Sequence, residues 1–394
     1  MYIWESKSWP AFTFNKVLIQ ARLDSVLELQ QQLIGKAKSL PTNLDRQAEM
    51  DALIQDALQT SEIEGEKLNV GSVRSSVAKH LGLEQAGLPA ATRQTESLIS
   101  MLCSATSNLE QPISQQMLCD WQAALFPEPP ITKNINIGVL RGDAPMQVLS
   151  RQGRREIIHF EAPPRDRLEA ELKLFIDAFN LKGGEDLHGI LRAAYAHLWL
   201  ITLHPFDDGN GRVTRALTDR ALAQTEQTSI RFYSLSAAIE KNREAYYQIL
   251  ENIQGCKTET QQDNGKETGK ELDITEWLVW FLDVLAQAMQ QGLARIERVI
   301  NKTRFWQNHS QTVLSERQVK VLNRLLDGAG DEFVQNGVDI GINASKYKSL
   351  TNVSKATATR DLAELVSKGC LKQLPGGGRS TRYAIQISKT NAEN

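Results

Sequence analysis

The chain has 394 residues and a mass of 44.1 kDa, room for about two to four domains of ordinary size. Its 45 Lys+Arg against 47 Asp+Glu leave a formal charge of −2, too balanced for a protein whose whole surface grips nucleic acid. At 41% hydrophobic and 23% charged residues it is not a disordered polyelectrolyte.

The N-terminus carries Glu5 and Lys7 and no apolar run, so no signal peptide is expected. Val17–Lys36 repeats apolar residues at helical spacing, and Met50–Leu58 does the same before running into Thr60-Ser61-Glu62-Ile63-Glu64-Gly65-Glu66, with Gly65 as a helix end. Ala86–Cys103 and Ser114–Leu125 predict further helices. Beyond Pro127-Glu128-Pro129-Pro130, two strand-like runs, Met146–Leu149 and Glu156–Phe160, flank a polar connection over Ser150–Arg155 that contains Gly153, the pattern of a β-hairpin. Helices are expected again over Arg167–Asn180, Gly189–Leu203, Gly211–Gln224 and Ser236–Gln254. Cys256–Glu271 is polar, without apolar period, and reads as a loop; a long helix follows over Thr275–Lys302, capped by Asp273 or Thr275.

The last eighty or so residues read as helix (Glu316–Leu326), helix (Asn343–Leu350), turn, a third helix capped by Ser354 and ending near Gly369, then strands at Leu371–Leu374 and Arg382–Ile387 around Pro375-Gly376-Gly377-Gly378. That is the order of a winged helix-turn-helix. The four cysteines (Cys103, Cys119, Cys256, Cys370) lie far apart, which predicts neither a zinc site nor a disulfide framework. Apolar stretches such as Trp277–Leu282 are far shorter than the ~18 residues of a membrane span. A cytoplasmic chain without membrane contact is expected.

The chemistry concentrates in His204-Pro205-Phe206-Asp207-Asp208-Gly209-Asn210-Gly211-Arg212-Val213-Thr214-Arg215, a loop feeding a helix N-terminus. Gly209 and Gly211 allow a tight turn and close approach to a ligand. Successive N–H groups at such a turn, with the helix dipole, favour an anion. Arg212 and Arg215 share one face of the first helical turn, and two guanidinium forks suit a polyphosphate. Asp208 is a hard oxygen ligand, and one carboxylate with substrate phosphates is the usual Mg2+ arrangement. Asn210 can donate to a phosphate oxygen. His204 titrates near neutrality and suits a general base. Phe206 reads as an apolar anchor for the loop. His197, one helix earlier among Leu191, Ala194, Leu198 and Ile201, reads as a satisfied buried histidine.

The segment matches H-P-F-x-[DE]-G-N-G-R-x-x-R at every fixed position, and on that motif the chain resembles the Fic family. The resemblance implies a mainly α fold: a compact helical domain with a β-hairpin flap, an N-terminal helical domain and a C-terminal winged helix-turn-helix. It implies a protein adenylyltransferase that moves AMP from ATP, with Mg2+, onto a Tyr, Thr or Ser hydroxyl of a target protein or of itself. His204 becomes the base and Asp208 the Mg2+ ligand. Gly209, Asn210 and Gly211 cradle the phosphates, Arg212 takes the β-phosphate region and Arg215 the γ-phosphate. The Lys that marks the family's kinase-like variants is absent, which favours nucleotidyl transfer.

Thr60-x-x-x-Glu64-Gly65 matches a second Fic signature, [ST]-x-x-x-E-[GN], found on an inhibitory helix. Glu64 paired with Arg215 would put a carboxylate in place of a phosphate; in some relatives the matching glutamate also helps remove AMP. Met146-Gln147-Val148-Leu149 resembles the flap strand, with Val148 and Leu149 bordering the nucleotide and clamping a target segment. Tyr246, Tyr247 and Gln254 fall on the helix that lines the adenosine pocket in relatives; core aromatics of an amphipathic helix are the other reading. The early aromatics Trp4 and Trp9-Pro10 resemble the N-terminal domain of many Fic proteins.

The expected domains are 1–105, with the inhibitory helix near 50–65; 106–256, the catalytic domain; 257–310, the polar loop and connecting helix; and 311–394, the winged helix-turn-helix. The last holds twelve Lys/Arg against eight Asp/Glu, net +4, a modest footprint for contact with DNA or with protein. Fic relatives often dimerise, so a homodimer is a further expectation. The rival reading is a DNA-binding regulator whose Fic domain senses nucleotide.

Overall fold

The computed structural model describes residues 1–38, 40, 42–83, 87–128, 135–152, 155–181, 187–228, 232–255, 272–327, 334–335, 338–339, 341–375 and 381–386. The architecture is mainly helical. The chain forms two units, one of Met1–Ser39 with Asp45–Gly292 and one of Leu40–Leu44 with Leu293–Asn394.

In the first unit, strand β1 (Phe12–Thr13) precedes α1 (Lys16–Lys38), which buries Ile19, Leu23, Val26 and Leu33 at helical spacing. Helix α2 (Thr42–Ile63) stops where Gly65 turns the chain at φ +81°, a left-handed backbone open to glycine. Helix α3 (Val70–His80) was not expected: its three serines and one glycine are poor helix formers. It forms because Asn69 caps Ser72 N at 3.0 Å and because Ser72 Oγ bonds Thr95 Oγ1 at 2.7 Å on the next helix. That helix, α4 (Arg93–Thr106), begins later than the expected Ala86, since Thr92 supplies the cap; residues 84–86 lie outside the described residues. Helix α5 (Gln115–Ala124) falls within the expected Ser114–Leu125 and is capped by Ser114.

The hairpin consists of β2 (Gln147–Gln152) and β3 (Arg155–Glu161), antiparallel, with Val148 opposite Phe160 and Gln152 opposite Arg155. The expected polar connection over Ser150–Arg155 is therefore mostly strand. The ladder is made by backbone groups, which polar side chains leave free to pair; Gly153 lies outside the described residues.

Helix α6 (Arg165–Asn180) leads to the central pair, α7 (Gly189–Leu203) and α8 (Asn210–Glu226). Twelve of the fifteen α7 residues are buried, as befits a helix apolar on every side. The two helices pack along each other, so the loop between them, 204–209, emerges at one end of the buried pair.

The single helix expected over Ser236–Gln254 is two, α9 (Leu235–Lys241) and α10 (Arg243–Gln254). Asn242 divides them, its side-chain amide bonding Ala238 O at 2.8 Å and Gln287 Oε1 at 3.0 Å, the competition with backbone pairing that makes Asn a poor interior residue. Strand β4 (Leu272–Asp273) pairs in parallel with β1, another unexpected pairing. Helix α11 (Thr275–Asn308) follows, with Asp273 Oδ1 accepting from Thr275 N at 2.8 Å. The expected loop, Cys256–Glu271, lies outside the described residues.

The second unit contains α12 (Glu316–Leu326), the short hairpin β5 (Val334–Gln335) and β6 (Val338–Asp339), then α13 (Ala344–Thr351), α14 (Lys355–Ser367), β7 (Leu371–Gln373) and β8 (Tyr383–Ile385). Its core holds Phe305, Val321, Leu322, Tyr347, Leu362, Leu365 and Leu371. Asp361 within it accepts from Arg317 Nε at 2.6 Å and from Tyr347 OH at 2.9 Å. The β7–β8 pair matches the expected hairpin, while Gly376–Gly378 and Arg379 lie outside the described residues. Cys103, Cys119 and Cys370 are free thiols, and no described helix is long and apolar enough to cross a membrane.

Candidate active site

The site is built on the α7–α8 loop. His204 ends α7 in left-handed backbone, φ +48°, and its Nδ1 stands 3.1 Å from Ile201 O. With Nδ1 donating to that carbonyl, Nε2 carries the lone pair and is the atom able to take a proton. Burial holds the imidazole below the usual histidine range; Ile201 O opposes this, Arg141 adds to it, and Glu64 and Asp208 oppose it. Phe206 is fully buried. Its N–H donates to Asn210 Oδ1 at 2.9 Å, and its carbonyl accepts from Asn210 Nδ2 at 2.7 Å. The Asn210 side chain thus closes the loop on itself instead of reaching outward as expected.

Gly209 has φ +89°, and a Cβ there would stand 2.8 Å from Leu125 Cδ1. Helix α8 begins at Asn210, so the N–H groups of its first turn have no carbonyl within the helix and carry the positive end of its dipole. Two buried arginines face the same turn. Arg215 is 2% exposed; Nε donates to Thr60 Oγ1, and Nη2 to both Thr60 O and Glu64 Oε1, each at 2.8 Å. Arg212 is 3% exposed; Nη1 donates to Glu66 Oε2 at 2.8 Å, and its guanidinium lies 5.5 Å from the Phe126 ring centroid. Arg215 Nη1 and Arg212 Nε are buried without a hydrogen-bond acceptor. Burial opposes the charge on Arg215, but Glu64, Tyr246 and Tyr247 together outweigh it and leave the guanidinium more firmly protonated.

The Glu64 carboxylate occupies the centre of this arrangement. A Cβ on Gly211 would stand 2.1 Å from Glu64 Oε1, so the carboxylate lies directly against the first turn of α8. A helix N-terminus with two guanidinium forks is an anion cradle, and here a side-chain anion fills it.

Asp208 lies beside the cradle: its Oδ1 accepts from Gly209 N at 2.7 Å and stands 3.9 Å from Arg212 Nη2. Among the described residues no group of three or more His, Cys, Asp or Glu is arranged to hold a metal. The donor set here fits a Mg2+ held by one carboxylate and a ligand's phosphates, with no closed protein cage.

The other expected residues are spread more widely. Val148 and Leu149 lie on β2, Leu149 being 46% exposed, at a shift in the ladder register. His159, the extra residue of β3 at that shift, bonds Ser150 Oγ at 2.6 Å and Glu251 Oε1 at 3.1 Å, tying the hairpin to α10. Tyr246 is a core residue: it is 2% exposed, and its hydroxyl meets His197 Nε2 at 3.0 Å. His197 is buried and satisfied, its Nδ1 bonded to Thr218 Oγ1 at 2.9 Å. Gln254 is buried too and donates to Thr202 Oγ1 at 3.1 Å. Tyr247 is 42% exposed and donates to Ile63 O at 3.3 Å, reaching the end of α2.

Two residues of the site were not anticipated. Glu66 holds Arg212; its nearest sequence signal is a third acid two residues beyond Glu64. Arg141, 1% exposed, donates from Nε to His204 O at 2.9 Å and from Nη2 to Pro163 O, while its N–H donates to Pro205 O at 2.9 Å. It ties the site loop to the foot of the hairpin, and an isolated arginine gives no local sign of that.

Residues 112–222 match the family model described as Fic/DOC family. This segment is a Fic/DOC domain. Residues 2–83, ahead of the Fic domain, match a domain of unknown function, DUF4172. A protein adenylyltransferase Fic from Nematostella vectensis is 26% identical over 239 residues, covering 60% of this chain and 51% of that protein. The chain therefore spans about half the length of this curated relative. A Fic family protein from Desulfovibrio desulfuricans G20 shares the fold at a TM-score of 0.51 and 15% identity, over 97% of this chain and 99% of the other. A Fic domain-containing signaling protein from Bacteroides thetaiotaomicron does so at 0.51 and 16%, over 70% and 96%.

Proposed function

We propose that the chain is a protein adenylyltransferase, restrained by Glu64, that transfers AMP from ATP to a Tyr, Thr or Ser hydroxyl of a target protein or of itself. The observation that carries this reading is the Glu64 carboxylate seated on Gly211 and Arg215, inside a cradle suited to a polyphosphate. His204 supports it, since its Nε2 is left as a proton acceptor beside that cradle.

In this reading Glu64 withdraws, and the triphosphate takes the first turn of α8 with Arg212 and Arg215. His204 Nε2 removes the proton of the target hydroxyl, the oxygen attacks the α-phosphorus in line, and pyrophosphate leaves. Catalysis is chiefly positioning and charge stabilisation. Asp208 would hold a Mg2+ that neutralises phosphate charge. Val148 and Leu149 on β2 would receive the target segment as an added strand. The C-terminal α12–α14 and β7–β8 arrangement is proposed as a winged helix-turn-helix that contacts DNA or protein.

The test is labelling by wild type, Glu64→Gly and His204→Ala with Mg2+ and either α- or γ-labelled ATP. Label from the α position only, strongest in Glu64→Gly and lost in His204→Ala, is expected. Label from the γ position would make the chain kinase-like, and no label in any variant would sink the reading.

A further inference from the structure

The end of α2 brings two carboxylates to the cradle. Glu64 meets Arg215 and Glu66 meets Arg212, each at 2.8 Å, with Gly65 at φ +81° between them. The two arginines stand three residues apart on α8, and the two acids, separated by one turning residue, reach one each. Acids at a helix C-terminus face the negative end of its dipole, so the local sequence works against Glu62, Glu64 and Glu66 clustering at the end of α2. Tertiary charge offsets that cost: both guanidinium groups are almost fully buried and need an anion.

We propose, resting on the polyphosphate reading of the cradle, that residues 64–66 form a two-pronged internal mimic of a polyphosphate in which Glu66 is an independent second prong on Arg212. The side-chain exposures set the direction of opening. Arg212 is 4% exposed while Glu66 is 36% exposed, so the contact opens when Glu66 swings to solvent and Arg212 stays. Arg212 is also held in place by the Phe126 ring and by Asp208 nearby. A ligand must then supply anionic groups to both arginines to displace both prongs. A monophosphate cannot do this, whereas a diphosphate or triphosphate can.

The experiment is calorimetric titration of the full chain with AMP and with ADP, Mg2+ present, for wild type, Glu66→Gln, Glu64→Gly and the double variant. Gln keeps the shape of Glu66 and removes its charge. Glu66→Gln is expected to tighten ADP at least about threefold, the effect of one partly exposed charge pair, to leave AMP unchanged, and to add to the effect of Glu64→Gly. A merely structural salt bridge would shift melting temperature without altering the preference for ADP over AMP. Unchanged ADP affinity in both backgrounds, equal tightening for AMP, or no detectable nucleotide binding in any variant overturns the proposal. Label transfer by Glu64→Gly is read separately. Transfer with no Glu66 effect removes the second prong and keeps the transferase; ADP tightening without transfer does the reverse.

Discussion

Thr60 grips Arg215 twice, through Oγ1 on Nε and through its carbonyl on Nη2, both at 2.8 Å. Arg215 is therefore held in position by α2 independently of Glu64, so the residue that occupies the cradle and the residue that holds its arginine are one helical turn apart. Glu64→Gly is expected to raise labelling roughly tenfold, the value of a charge-assisted contact. Adding Thr60→Val should take back most of that gain through a higher KM for ATP. An unchanged KM in the double variant would show that Thr60 does not align Arg215.

On the proposed reading, the pH dependence of the Glu64→Gly variant follows from His204 as the base. A base works when neutral, and burial holds this imidazole below the ordinary ~6.5. In Glu64→Gly the rate should therefore stay level through pH 7 and fall only at a midpoint below ~6.5. A pH-rate profile with its acid limb above pH 7 would contradict the assignment.

Chelation of divalent cations should abolish transfer, and Asp208→Asn should lower it by roughly a hundredfold, a common cost of losing a charge-stabilising group. Added Mg2+ should partly restore Asp208→Asn. Full activity in excess chelator would remove the cation from the reaction.

His197 predicts acid sensitivity of the fold. Burial first, and then Arg215, lower its pKa to about 3. The unfolded chain binds a proton there near pH 6.5 and the folded chain does not, so stability falls as pH drops from ~6.5 toward 3, by up to ~1.4 kcal/mol per pH unit. Denaturant titrations at several pH values should show this slope, and His197→Gln should flatten it.

Arg141→Ala should cost about 3 kcal/mol, because it removes two charge-assisted hydrogen bonds to buried carbonyls, His204 O and Pro163 O, at about 1.5 kcal/mol each. It should also depress turnover, because the His204 carbonyl and the foot of the hairpin lose a shared donor. Arg141→Lys should recover part of the stability but little of the turnover. Thermal melts and kcat measured together check both.

What could be read from the residues was local and contiguous. Helices α1, α7 and α12 follow from apolar spacing, and the Ser354 cap stands where a short polar residue precedes such a run. The cradle was readable because Gly209 to Arg215 form one loop and one helical turn. Helix α3 was not, because Ser72 finds its side-chain partners, Thr92 and Thr95, only across the fold. The break at Asn242 was hidden by unbroken apolar spacing on either side.

The sequence by itself determined that a loop of fixed chemistry feeds a helix N-terminus, since turn geometry, helix dipole and arginine spacing are properties of neighbouring residues. Only the tertiary structure decided what fills that loop. The Arg215–Glu64 and Arg212–Glu66 pairs span 151 and 146 residues, and the Arg141 tie to His204 spans 63. Such partners are chosen by how buried helices pack, because a desolvated guanidinium must find an anion or a carbonyl wherever the fold brings one.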